Sequence, residues 1–236
     1  MLSQPLKQSA GLAFVLLPSR LLLFLIFQSL VALVVNSWHI AEKYWLLTAT
    51  LANSVSIILL FFGCNKEEKN YLSLFRIDRS DLKKDVFIFL VLTIISIPIV
   101  FAPGYFLSLL LWNDPNVPAE MMFGEMERGW VYLLLVIFPL TITFAELPTY
   151  FGYIMPKLEK QLQTKWLAVL LPVLFLSIQH CALPFIPDFN FIVYRALVFL
   201  PFAALIGISI YCRPALLPYF AVLHGVMDFG AAFMFL

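Results

Sequence analysis

Seven stretches of this chain run for about 20 residues or more with almost no charge, and nothing else in it constrains folding so strongly. A helix needs roughly 20 mostly apolar residues to cross the hydrocarbon core of a bilayer. The runs fall at about 19–38, 44–63, 86–112, 129–156, 166–184, 191–211 and 214–236. Charge collects in the breaks between them, in NKEEKN, FRIDRSDLKKD, NDPNVPAEMMFGEMER and KLEKQLQTK. All five tryptophans (Trp38, Trp45, Trp112, Trp130 and Trp166) lie at ends of these runs, the headgroup level that indole rings favour. Composition agrees. The chain is 62% hydrophobic and 12% charged, against about 45–50% and 25% in soluble domains. An ordinary soluble enzyme and a disordered tail are excluded. With 15 Lys+Arg against 14 Asp+Glu, no basic face remains to neutralise phosphates, so no nucleic acid is expected as a partner. Three scattered cysteines (Cys64, Cys181, Cys212) make neither a disulfide framework nor a zinc-ribbon spacing. The expected fold is all-α, a multi-pass transmembrane bundle of about seven spans forming one integral membrane domain over 1–236, with membrane lipid as its surroundings.

Orientation follows from Lys and Arg in the loops. One side holds Lys7, Arg20, Lys66, Lys69, Arg76, Arg79, Lys83, Lys84, Lys157, Lys160, Lys165 and Arg213; the other holds Lys43 and Arg128, with Arg195 near its edge. The first group is expected to be cytoplasmic, which puts the N-terminus inside. Pro18 and Arg20 interrupt the first run, and Arg20 together with the lack of an A-x-A-like site argues for an uncleaved anchor over a signal peptide. Residues 71–85 mix apolar and charged positions, as an interfacial segment or a solvated loop would. Prolines inside the spans, among them Pro98, Pro103, Pro139, Pro148, Pro172, Pro201 and Pro218, read mostly as packing kinks.

Four ionisable residues, Glu146, His180, His224 and Asp228, stand well away from any edge. An Asp at mid-depth costs about 2.5–3.5 kcal/mol on insertion scales, so such groups are candidates for function. At about 1.5 Å per residue, Glu146 lies about 15 Å and His180 about 21 Å from the basic end, with His224 and Asp228 at about 15 and 21 Å. Three helices therefore bring polar groups to one layer, and His224 and Asp228 share a face as an i,i+4 pair. A carboxylate with two imidazoles can activate water. Glu146, His180, His224 and Asp228 are equally acceptable ligands for a divalent metal such as zinc.

These residues also carry a likeness. FAELPTYFGYIMPKLE (144–159) resembles the first motif, EExxxRG, of the CPBP (Abi/CAAX-protease) family of intramembrane proteases, with Glu146 as the first glutamate and Gly152 as the glycine. LSIQH (176–180) resembles the second, FxxxH, with His180 as the histidine, and HGVMD (224–228) fits the third, HxxxN or HxxxD. The order and spacing agree over a core of about 85–236. Leu147 and Phe151 replace the second glutamate and the arginine, so one acid and one base are lost together. The resemblance implies an endopeptidase of the bacterial cytoplasmic membrane that cuts a peptide or membrane-protein substrate. Glu146 and His180 would activate water, and His224 and Asp228 would face the oxyanion or complete a metal site. An ionised carboxylate cannot donate a hydrogen bond. Asp228 would therefore be protonated, orient a charged His224, or bind a metal.

Around this set, His39 reads as a solvated interfacial residue and Tyr150 as a packing group or a hydrogen-bonding neighbour of Glu146. Arg195 would snorkel to headgroups or pair with Asp188, and Cys181 would fill a small apolar space. Two other classes of function remain open at this level: a non-catalytic immunity or scaffold protein, motivated by Leu147 and Phe151, and a proton-coupled transporter.

Overall fold

The computed structural model describes residues 11–77 and 79–236, and every regular element among them is helical. Helices satisfy their own backbone, which lipid cannot do. Lys7 lies outside the described residues. Helical residues 11–16 turn at 17–18 into α1 (Ser19–Val35), which stops where Asn36 takes a left-handed φ of 52°. A separate short helix, α2 (Trp38–Lys43), is capped by the Ser37 hydroxyl. Then come α3 (Trp45–Lys66), a 3-10 turn at Tyr71–Phe75, α4 (Leu82–Trp112) and α5 (Val117–Met122). The helix α6 (Arg128–Leu147) passes through π-helical turns at Pro148–Ile154 into α7 (Met155–Gln161). The next, α8 (Lys165–Ile178), ends in a 3-10 turn at Gln179–Ala182. One span is broken at Phe199 into α9 (Phe189–Val198) and α10 (Leu200–Cys212), and α11 (Leu217–Phe233) follows a 3-10 turn at Pro214–Leu216.

Six helical segments among the described residues are long and apolar enough to cross a membrane. The first expected span is where the count differs. Pro18 and Asn36 cut α1 to 17 residues, about 25 Å of rise, and the run's last residue, Trp38, already begins α2. Within residues 71–85, Tyr71–Phe75 make the 3-10 turn, with Tyr71 buried, and Leu82 begins α4.

At the centre, α6 packs along α11 and α3. Buried apolar side chains form two clusters. One surrounds Leu147, Tyr150, Phe151, Ile154 and Phe220; the other surrounds Phe24, Trp45, Phe138, Ile142 and Phe191. Glu146 stands on α6 between them, so the polar layer separates two dry halves. The long α4 lies at the periphery and buries only Asp85, Ser96 and Ser108. At the basic end, Lys157 and Lys69 bind Glu67, tying α7 to the end of α3, and Arg213 binds Asp81 and Asp85, tying the turn before α11 to the start of α4. At the other end, Lys43 donates to Met121 O and Trp38 to Phe185 O.

Candidate functional site

The local structure around Glu146 begins with Pro148. Lacking an N–H, this residue offers no α-helical partner to the carbonyl of Phe144. The hydroxyl of Tyr71 donates to that oxygen instead. Thr149 Oγ1 donates to Ala145 O at 2.6 Å, and the helix widens into π turns immediately beyond. Such bulges recur at functional positions because they rotate the side chains that follow. Glu146 thus sits in the last α-helical turn before the break, with 2% of its side chain exposed.

The opposing helix, α11, approaches closely at Gly225. A Cβ built there would lie 2.1 Å from Thr143 Oγ1 and 2.9 Å from Pro139 O. Only glycine lets the two backbones meet at this distance. That approach carries the adjacent His224 onto Glu146. His224 Nε2 stands 2.9 Å from Glu146 Oε1 and 3.4 Å from Asp228 Oδ2. Neither carboxylate oxygen is aligned as a hydrogen-bond acceptor for the ring, and both lack other hydrogen-bond partners, as does His224 Nδ1.

The other side of Glu146 is held by a residue placed among the loop charges from sequence. Arg20 is not at an edge: it is fully buried. Its Nη2 lies 3.1 Å from Glu146 Oε2 and donates to Asn53 Oδ1 at 2.9 Å. Nε donates to Gln179 Oε1 at 2.9 Å and Nη1 to Ser56 Oγ at 3.2 Å. The guanidinium plane matches several acceptors at once, which a lysine could not do. The network extends through Asn53 to Thr141, and Tyr150 donates to Gln179 Oε1 and Leu17 O, each at 3.3 Å. Tyr150 therefore belongs to the site. Asn53 and Ser56, an i,i+3 pair of polar residues in a nearly uncharged span, were the available signal, together with Gln179 beside His180.

His180 is brought to the same region but not into the cluster. Its Nδ1 lies 2.8 Å from Leu176 O. A carbonyl only accepts, so Nδ1 carries the proton and Nε2 is left as the acceptor when the ring is neutral. The ring stacks on Phe199 with centroids 4.0 Å apart. Among the described residues, no hydrogen bond or ion pair joins His180 to Glu146, His224 or Asp228. Arg195 neither snorkels nor pairs with Asp188. It is buried, donates to His180 O at 3.1 Å and also to Leu183 O, and lies over the Phe199 ring at 4.9 Å. Asp188 instead caps Phe191 N. His39 is largely exposed, as its interfacial place suggests. Leu147 and Phe151, the two departures from the EExxxRG pattern, are buried in apolar packing.

Zinc or another divalent metal would require Glu146, His180, His224 and Asp228 to converge as ligands. Among the described residues no three His, Cys, Asp or Glu side chains do so. One Glu146 oxygen already faces a guanidinium cation, whereas His180, with its Nδ1–H on a carbonyl, keeps Nε2 free. The contact that is made joins Glu146 to His224, with Asp228 as the second carboxylate on the same ring nitrogen. Access is graded: the side chain of Glu146 is sealed, whereas those of His224 and Asp228 are 13% and 22% exposed. Comparison of the chain with protein-family models, curated proteins and solved structures finds no match.

Proposed function

We propose that this protein is an intramembrane peptidase of the CPBP (Abi/CAAX-protease) type, acting through water activated by a carboxylate and imidazoles. The observation that carries the reading is the approach of His224 Nε2 to Glu146 Oε1, 2.9 Å, in a buried layer between two apolar clusters. A water beside Glu146 Oε1 would give its proton to the carboxylate as it attacks a peptide carbonyl, and Glu146 would return that proton to the leaving amine as the C–N bond breaks. Asp228 orients His224, and His180 offers Nε2 from the 3-10 turn on the far side. The substrate is a peptide or membrane protein that reaches this layer from the side of α11, where the exposed atoms lie. The basic loops support an orientation with that end in the cytoplasm.

The test is cleavage of a quenched-fluorescent peptide library by the protein in liposomes. Glu146→Gln should lower the rate by about 100-fold or more, the range for loss of a general base; His180→Ala and His224→Ala should fall similarly while still inserting. Undiminished cleavage by Glu146→Gln removes the mechanism. A second reading, a non-catalytic immunity or scaffold protein, is favoured by the Arg20 network, which commits Glu146 Oε2 to a fully bonded guanidinium. It requires the wild-type protein to cleave nothing in the same assay.

A further inference from the structure

Away from the polar layer, an open groove of about 440 Å³ runs between α8 and α10. Its walls are Trp166, Val169, Leu170 and Val173 on one helix and Ala204, Ile208 and Tyr211 on the other. These positions follow i, i+3, i+4, i+7 and i, i+4, i+7, so each set is one continuous helix face. The small side chain of Ala204 leaves the space. Behind it, α10 comes close at Gly207, where a Cβ would lie 2.7 Å from Val173 Cγ2 and 2.9 Å from Phe151 Cε1. The groove extends about 10 Å along the helices and lies on spanning segments whose outer residues, Trp166 and Ile208, are 61% and 54% exposed.

One end of the groove differs from the rest. Lys165, Trp166 and Tyr211 meet there, at the first turn of α8 and the last turn of α10. An indole and a phenol at a span end mark the headgroup level. Lys165 is exposed and has no ion pair among the described residues. It stands at the start of α8, where no side chain caps the free backbone N–H groups. Beside it, Glu159 Oε1 accepts from the Tyr211 hydroxyl at 3.2 Å. The preceding helix α7 carries Lys157, held by Glu67, and Lys160.

We propose that this groove is a binding site for an anionic glycerophospholipid, with one acyl chain between α8 and α10 and the headgroup phosphate on Lys165. The apolar walls take the chain and the ammonium selects the charge, so the site prefers an anionic lipid to a zwitterionic one. This site stands apart from the peptidase reading and survives its failure.

The test uses the full-length protein in phosphatidylcholine bilayers that contain, at equal mole fraction, either phosphatidylglycerol or phosphatidylcholine with brominated chains. Quenching assigned to Trp166 is the difference between the wild type and Trp166→Phe. Brominated phosphatidylglycerol should occupy the groove about five-fold more readily, the effect of one lysine near an anionic surface, and the preference should shrink at high salt. Lys165→Gln should abolish the preference while leaving quenching by phosphatidylcholine unchanged. Ala204→Phe, which fills the groove, should reduce quenching by both lipids. Equal quenching by the two lipids in the wild type, or a preference that persists in Lys165→Gln, overturns the proposal.

Discussion

Replacing Arg20 by methionine keeps much of the side-chain volume but removes a guanidinium that makes four polar contacts of 2.9–3.2 Å. One of them is the pair with Glu146, where both partners are sealed from solvent. Breaking a buried pair from one side costs about 3–5 kcal/mol, because the surviving charge stays buried. Three neutral acceptors, Asn53, Ser56 and Gln179, are stranded as well, at about 0.6 kcal/mol each for hydrogen bonds inside membranes. Arg20→Met should therefore lose about 5 kcal/mol. Glu146→Gln alone should lose about 3–5 kcal/mol by the same reasoning from the other side. In the double variant no charge is stranded, so its loss should be at least about 3 kcal/mol smaller than the sum of the singles. The thiols provide the assay. Cys64 is buried and reacts with a fluorogenic maleimide only on unfolding, whereas exposed Cys212 and half-buried Cys181 are first replaced, by serine and alanine, to remove their background. Midpoints read in one detergent across the four proteins close the cycle. Additive losses, with no recovery in the double variant, would show that Arg20 and Glu146 are not one electrostatic unit.

Three further outcomes follow from separate contacts. Gly225→Ala places a methyl group 2.1 Å from Thr143 Oγ1 and should cost about 1–3 kcal/mol as overpacking; adding Thr143→Ala should restore part of it in the same thiol assay. Tyr71→Phe strips the donor from the Phe144 carbonyl and should cost about 1–3 kcal/mol, whereas Tyr105→Phe on exposed α4 should be neutral. At the basic end, burial pushes the Glu67 carboxyl up, but hydrogen bonds from Lys157, Lys69 and Tyr153 outweigh it and leave the group below its ordinary value. The sign is that of a depressed acid. Its stabilising contribution is complete above the unfolded value of about 4.3 and is lost as pH falls through the lower folded value. Lys157→Met should flatten the acid limb of stability against pH, and an unchanged limb would mean that Glu67 is not the group responsible.

Much of the fold was readable because lipid imposes two simple demands, about 20 apolar residues per crossing and a satisfied backbone. Runs 44–63, 86–112, 129–156, 166–184, 191–211 and 214–236 each correspond to a spanning helix, with ends shifted by a few residues. What the apolar count could not register was local chemistry. It did not see that Asn36 would close α1 in a left-handed conformation, or that the π turns after Pro148 would carry the fourth span on to Gln161. In the site, Glu146, His224 and Asp228 were found from the cost of burying them, and the i,i+4 spacing correctly put the last two on one face. His180 was expected at the same meeting point from its depth and from the FxxxH likeness. Depth fixes a layer, not a direction, and its ring turns toward Phe199.

The error over Arg20 has a more general cause. The desolvation cost was applied to each deep residue singly, yet it belongs to pairs: a sealed carboxylate requires a cation or a dense set of donors. Only two cations, Arg20 and Arg195, fall within the apolar runs as read from sequence. Arg195 lies fifteen residues after His180 and is drawn to the carbonyls exposed where α8 ends in its 3-10 turn. That leaves Arg20 for Glu146. The polar residues that would accept its remaining N–H groups were also visible, since Asn53 and Ser56 stand one turn apart in a nearly uncharged span. Balancing opposite charges inside the membrane before assigning any chemistry would have moved Arg20 from the loop tally to the site. It would also have weakened the case for a metal at once, because a carboxylate committed to a guanidinium has one oxygen fewer to coordinate with.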